Sequence, residues 1–274
     1  MRNLWYAVLL VLLPSVGHAE VPDFVSLRYE LSEGSVLVTL NGFPVVNLST
    51  STRRTGSGPA NLHLVPTGNQ VDIEYAPATD ESTFRLTLLG SDAGAMAGAD
   101  DPGDLLQITL PAADGESSRA MTFDLPEAWR QRYTAGLLYR EGQVIANREA
   151  VRAYGLHLLD LVAAAEFEAF ATEMLPAYVA QRKVAPSIGV PEDNATVVEL
   201  VAQSWRGQFH GGTLRMPRTS NELALTPWAG GRVFEISWPD GSPLISATFD
   251  DGSLEMSVFV ALIDGELKVV RTGL

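Results

Sequence analysis

The sequence predicts an α+β protein: an N-terminal antiparallel β-sandwich followed by helices packed on a curved antiparallel sheet. Three observations predict it. Apolar residues recur with a period of two from Val25 to Phe123, the spacing turns helical from about Asn147, and three Asp-Gly pairs separate alternating runs after Val233. A length of 274 residues allows two domains, each with its own core. Hydrophobic content of 46% against 19% charged excludes a disordered or collagen-like chain. A net charge of −14 argues against nucleic acid and anionic membrane surfaces as partners. The absence of cysteine removes disulfides, thiolate metal sites and cysteine nucleophiles together.

Residues 1–19 read as a signal peptide. Arg2 gives a positive start, Leu4 to Leu13 is an uninterrupted apolar run too short to span a bilayer, and Pro14 breaks it. Gly17 and Ala19 are the small residues of a cut before Glu20. The expected location is the periplasm or the cell exterior, with no membrane span. Arginine greatly outnumbers lysine (only Lys183 and Lys268), as in chains from GC-rich bacterial genomes.

Residues 20–125 are expected to form the sandwich. Val25-Leu27-Tyr29-Leu31 alternate, Glu33-Gly34 turns the chain, and Val36-Val38-Leu40 alternate again. Asn41-Gly42 signals a two-residue hairpin, because both residues tolerate positive φ. Phe43 to Leu48 follows, then a loop from Ser49 to Pro59 whose Arg53-Arg54 either grips an anion or stays in water. Leu62-Leu64, Val71-Ile73-Tyr75, Phe84-Leu86-Leu88, Leu105-Gln107-Thr109 and Met121-Phe123 bring the expectation to about eight strands. Asp100-Asp101-Pro102-Gly103-Asp104 offers clustered carboxylates but lacks calcium-loop spacing, so it reads as a solvated acidic loop.

The stretches Val38-Thr39-Leu40-Asn41-Gly42-Phe43-Pro44 and Leu62 to Val71, with its Pro66-Thr67-Gly68-Asn69 turn, resemble the hairpins of galactose-binding-like β-sandwich modules. That resemblance implies a sandwich, and carbohydrate binding as one reading of it.

Residues 126–146 read as a linker, with a short helix from Glu127 to Tyr133 and a hairpin about Glu141-Gly142. Residues 147–274 are expected to form the second domain. Its first helix carries the stripe Val151, Tyr154, Leu158, Leu161, Val162 and Ala165. A second carries Phe167, Phe170, Met174, Tyr178 and Val179, with Pro176 inside. A third runs from about Asn194 to Trp205, capped by Asp193 or Asn194. Strands are expected at Leu223–Thr226, Val233–Trp238, Leu244–Phe249, Leu254–Ile263 and Leu267–Arg271, joined in hairpins by the Asp-Gly pairs.

The run Leu158-Leu159-Asp160-Leu161-Val162-Ala163-Ala164-Ala165-Glu166-Phe167-Glu168-Ala169-Phe170 and the closing Asp264 to Arg271 resemble the nuclear-transport-factor-two-like, cystatin-related cone superfamily. The resemblance implies a cone-shaped helix-on-sheet domain. It leaves the activity open, since the superfamily holds isomerases, dehydratases, hydrolases, assembly domains and adaptors.

Pairing Leu262 with Leu267 and Val260 with Val269 about Asp264-Gly265, and Phe249 with Leu254, Ala247 with Met256 and Ile245 with Val258 about Asp250–Ser253, puts these aliphatic residues on one face. That face holds no acid, base or nucleophile and should be core. Ser246, Thr248, Glu255, Ser257 and Lys268 share the other, expected to be wet. Any catalytic group must then come from the helices, where Tyr154, His157 and Asp160 lie close together; an imidazole oriented by a carboxylate is a general base. Tyr178, Trp205, Trp228 and Trp238 suit either a cleft or plain packing. His210-Gly211-Gly212 has no Gly-x-Ser-x-Gly nucleophile to accompany it, and His63, His157 and His210 have no metal-ligand spacing, so neither a cofactor nor a metal is expected. The expected function is a non-catalytic, exported binding or assembly protein whose partner is another protein, a basic one suiting the acidic charge. The alternatives are a small-molecule enzyme using Tyr154, His157 and Asp160, or a carbohydrate-binding N-terminal module.

Overall fold

The computed structural model describes residues 24–91, 104–112, 117–134, 142–184, 189–250 and 252–273. The leader, the Asp100–Gly103 loop and most of the hairpin expected about Glu141 fall outside them.

The fold is α+β, with antiparallel sheets followed by helices and a curved antiparallel sheet. Eight strands form the sandwich: β1 (Phe24–Leu31), β2 (Gly34–Leu40), β3 (Phe43–Thr50), β4 (Arg54–Pro59), β5 (Asn69–Pro77), β6 (Thr83–Ser91), β7 (Asp104–Pro111) and β8 (Ser117–Phe123). One sheet runs β4-β1-β6-β7 and the other β3-β2-β5-β8. The alternation does what period two requires: Val25, Leu27 and Leu31, with Phe84 and Leu86 beside them, face Val36, Val38, Leu40 and Ile73 of the other sheet in one buried core. Asn41 (φ 55°) and Gly42 (φ 78°) make the left-handed turn expected of them.

Two elements differ from the sequence reading. Arg54–Pro59, read as loop, is an edge strand paired with β1, and Leu62-Leu64, read as a strand, lies partly in a 3-10 turn, Asn61–His63. Strand β4 has no apolar alternation. Its register comes from backbone pairing and from Tyr29, whose ring lies where a Cβ on Gly56 would stand, 2.3 Å from the hydroxyl.

After β8 come α1 (Glu127–Arg130), α2 (Arg148–Ala163), α3 (Phe167–Val184) and α4 (Asn194–Gln208). Asn147 caps α2 by accepting from the Ala150 amide, and Asp193 caps α4 by accepting from that of Thr196. Ala165, assigned to the α2 stripe, lies beyond that helix with φ 57° and reverses the chain into α3.

The curved sheet contains β9 (Thr213–Leu214), β10 (Ala224–Trp228), β11 (Val233–Ser237), β12 (Ile245–Phe249), β13 (Gly252–Ile263) and β14 (Glu266–Gly273). Its path is β10-β11-β13-β12-β9, with β14 also on β13. Asp264-Gly265 pairs Leu262 with Leu267 and Val260 with Val269, as expected. At the other hairpin Phe249 pairs with Gly252, Ala247 with Leu254 and Ile245 with Met256. The register is two residues from the one expected, because pairing already begins at Phe249↔Gly252 and leaves no room for a four-residue turn. An even shift preserves the faces. Asp240-Gly241 joins no full hairpin: β11 and β12 both pair with β13, and across the turn between them stands an isolated bridge from Ser237 to Pro243.

The aliphatic face packs with α2, α3 and α4 in one core: Ile245, Met256, Val258, Val260 and Val269 meet Leu158, Leu161, Phe170, Met174, Val201 and Trp205. The opposite face, expected to be wet, is partly covered. Val233, Phe259, Ala261 and Val270 form a separate buried cluster with Phe43 of the sandwich. Helix α3 spans two cores, since Phe170 and Met174 belong to the helix-on-sheet core while Ala180 and Val184 are buried in the sandwich core. The chain before α2 is also docked, Gln143 donating to the Leu262 carbonyl and Ile145 to that of Gly231.

Candidate functional site

Tyr154 and His157 stand one turn apart on α2, and both reach across to Glu173 on α3. The Tyr154 hydroxyl donates to Glu173 Oε2 at 2.5 Å, and His157 Nε2 lies 3.7 Å from Oε1. Burial and the neighbouring carboxylate push the phenol pKa up, so at neutral pH this hydroxyl is a donor and not a base. The His157 side chain is half exposed, and Asp160 is exposed with no hydrogen bond or ion pair to it. The structure therefore brings Tyr154 and His157 together but puts Glu173, not Asp160, between them. Glu173 follows Phe170 by three residues and borders the apolar stripe of α3; a carboxylate at that flank was the available signal.

A second polar cluster, absent from the sequence reading, lies where the sandwich meets the curved sheet. Glu235, Phe259 and Arg271 form one row across β11, β13 and β14. Above that row sits the Phe43 ring, 4.7 Å from His63 and 4.7 Å from Phe259, with the Arg271 guanidinium 5.1 Å from its centroid. Arg271 Nη1 donates to His63 Nε2, and Trp228 Nε1 donates to Glu235 Oε2 at 3.2 Å. Burial first, and Arg271 second, hold the imidazole well below its ordinary pKa. Burial raises the Glu235 carboxyl, against the opposing pull of Trp228 and Arg271. With Phe43 and His63 each 1% exposed, the middle of this clasp is closed to water, while Trp228, Glu235 and Arg271 are half-buried around it. The Asn41-Gly42 hairpin belongs to it, for the Gly42 carbonyl accepts from the Ala229 amide at 2.9 Å.

The remaining candidates are structural. Trp205 and Trp238 are buried, Tyr178 packs against the same core, and Trp228 is half-buried at the clasp. Arg215 lies 4.1 Å over the Trp238 ring and pairs with Asp240 at 2.9 Å. His210 is exposed in the turn after α4. Arg53 pairs with Glu30 at 2.9 Å, and Arg54 opens β4. Among the described residues no three histidine or acidic side chains are placed to hold a metal, and no helix is long and apolar enough to cross a membrane.

Two open grooves carry mixed chemistry. One, of about 530 Å³, runs between α3 and α4, with Leu175 and Val198 in its floor and Glu168, Glu199 and Arg206 at its rim. Another, of about 520 Å³, lies on the β3-β2-β5-β8 sheet and is lined by Ser35, Leu37, Asn47, Glu74, Ala76 and Ser118. No protein family, curated protein or solved structure matches the chain.

Proposed function

We propose that this chain is an exported, non-catalytic binding or assembly protein of the bacterial envelope that acts through protein–protein contacts. The observation that carries the reading is the filled space beneath the helices, where a cone-domain enzyme would keep its pocket: the sheet face is aliphatic, and α2, α3 and α4 pack directly on it. The residues best suited to catalysis serve packing instead, Tyr154 holding Glu173 from helix to helix. Surface features suit docking. The α3–α4 groove has an apolar floor with charged rims, and elsewhere on α4 Leu200 is 49% exposed. The net charge of −14 favours encounter with a basic partner and weakening of the complex by salt.

The test is site-specific photocrosslinking in the source cell, with the photoreactive residue at Leu200 or Met121. The reading expects a discrete protein adduct in the envelope fraction, formed at low salt and lost at high salt, on a chain beginning at Glu20. A chain that stays unprocessed inside the cell, or no adduct from either position, overturns it.

A further inference from the structure

The edges of the three sheets are not alike. Strand β3 carries Pro44 beside a register shift, β7 ends in Pro111 and pairs through another shift, and β4 contains Gly56, Gly58 and Pro59. Strand β10 contains Pro227, β9 is two residues long, and α3 packs over β14. These are the devices by which proteins blunt exposed strand edges. Strand β8 has none. It pairs with β5 without a shift from Asn69↔Phe123 to Tyr75↔Ser117, and its five central residues are all exposed.

The direction of its free groups follows from β5. The Gln70 carbonyl accepts from Asn41 on the β2 side, so Gln70, Asp72 and Glu74 turn their backbone groups toward β2, and Val71, Ile73 and Tyr75 turn theirs toward β8. Ser118, Ala120 and Thr122 accordingly point N–H and C=O outward, and among the described residues no strand pairs with them. Their side chains share a face with Asp72 and Glu74, and the Glu74 carboxylate has no cation partner among the described residues. The groove of about 520 Å³ runs from Ser118 past Glu74. On the opposite face Met121 is 37% exposed.

We propose that β8 is the acceptor edge for an extended segment of a partner protein that alternates cationic and apolar side chains, one cation reaching over Ser118 to Glu74. An added strand gains main-chain hydrogen bonds from the edge and its specificity from alternate side chains. Cations on one face meet Asp72 and Glu74, while on the other, which carries Arg119 as well as Met121, apolar residues cover Met121. A second copy fits less well: its own β8 would bring Ser118, Ala120 and Thr122 to that face, with no cation, and two chains of charge −14 repel. The inference rests on the protein-binding reading above.

The test uses the full chain and a capped synthetic heptapeptide of alternating lysine and valine, with a glutamate–valine peptide as control. Binding of the lysine peptide should protect the Ser118, Ala120 and Thr122 amides from hydrogen exchange and should weaken with salt. Ala120→Pro removes the central outward N–H at a position where an edge tolerates proline, and should abolish binding while leaving the melting temperature within a few degrees. Glu74→Gln should weaken binding about tenfold and flatten its salt dependence. Unprotected β8 amides, or undiminished binding by Ala120→Pro, overturn the proposal. Concentration-dependent protection of the same amides without peptide also overturns it, in favour of a second copy. If Leu200 still crosslinks a partner while β8 stays silent, only this proposal fails; if neither position captures anything, the protein-binding reading falls with it.

Discussion

Arg271, on the last strand, donates a hydrogen bond to the Nε2 lone pair of His63, in the 3-10 turn of the sandwich. That bond requires a neutral imidazole, because an imidazolium has no lone pair to offer.

Stability should therefore fall with acid in a defined window. Burial, reinforced by Arg271, lowers the folded pKa of His63 well below the 6.5 of an unfolded chain. Below pH 6.5 the unfolded state takes up a proton that the folded state refuses, so this contribution is complete above 6.5 and is lost as pH drops toward the depressed value. The slope reaches at most about 1.4 kcal/mol per pH unit. Urea denaturation of His63→Gln should show less loss between pH 7 and 5 than the parent chain; equal slopes would remove His63 from the clasp.

Tyr154→Phe should cost about 1 to 2 kcal/mol, since it leaves the partly buried Glu173 carboxylate without its donor. His157→Ala should cost less than about 0.5 kcal/mol, its side chain being half in water. Chemical denaturation of both variants checks the ranking, and an inverted order would mean that the helix pair is held by the histidine.

Two buried polar groups should respond oppositely to deletion. Asn61 accepts from the Val25 amide at 3.1 Å and donates to the Val184 carbonyl at 3.0 Å, so Asn61→Ala should destabilise by about 2 to 4 kcal/mol. The Tyr75 hydroxyl is buried without a hydrogen-bond partner among the described residues, and Tyr75→Phe should be neutral or stabilising by about 1 kcal/mol. Thermal melts separate these outcomes, and a marked loss in Tyr75→Phe would show that the phenol is bonded in solution.

Gly56→Val should lower stability by about 1 to 3 kcal/mol, because its Cβ would enter the ring of Tyr29. Adding Tyr29→Ala should make the same valine better tolerated. Strictly additive losses in the double variant would mean that the ring does not lie over the glycine.

Where apolar alternation carried the information, the fold was legible in the sequence. The left-handed turn at Asn41-Gly42, the caps at Asn147 and Asp193, and the aliphatic face from Ile245 to Val269 all follow from local chemistry. Strand β4 was hidden because its pairing uses backbone groups and a glycine under an aromatic ring, which leave no period of two. The β12–β13 register slipped by two residues because hydrophobicity fixes which face a residue occupies but not its distance along the strand. At the candidate site, helical spacing joined Tyr154 to His157, yet Glu173 comes from another helix. The His63–Arg271 clasp joins residues far apart in the chain, and no local pattern announces it.

Because Ala180 and Val184 are buried among the sandwich residues, the first eight strands cannot complete their interior alone. A chain emerging end-first, from a ribosome or through a translocation pore, would hold an unsealed sandwich until the last turn of α3 arrived to plug it. Cutting the polypeptide after β8 should accordingly yield a sticky fragment, not a miniature of the parent.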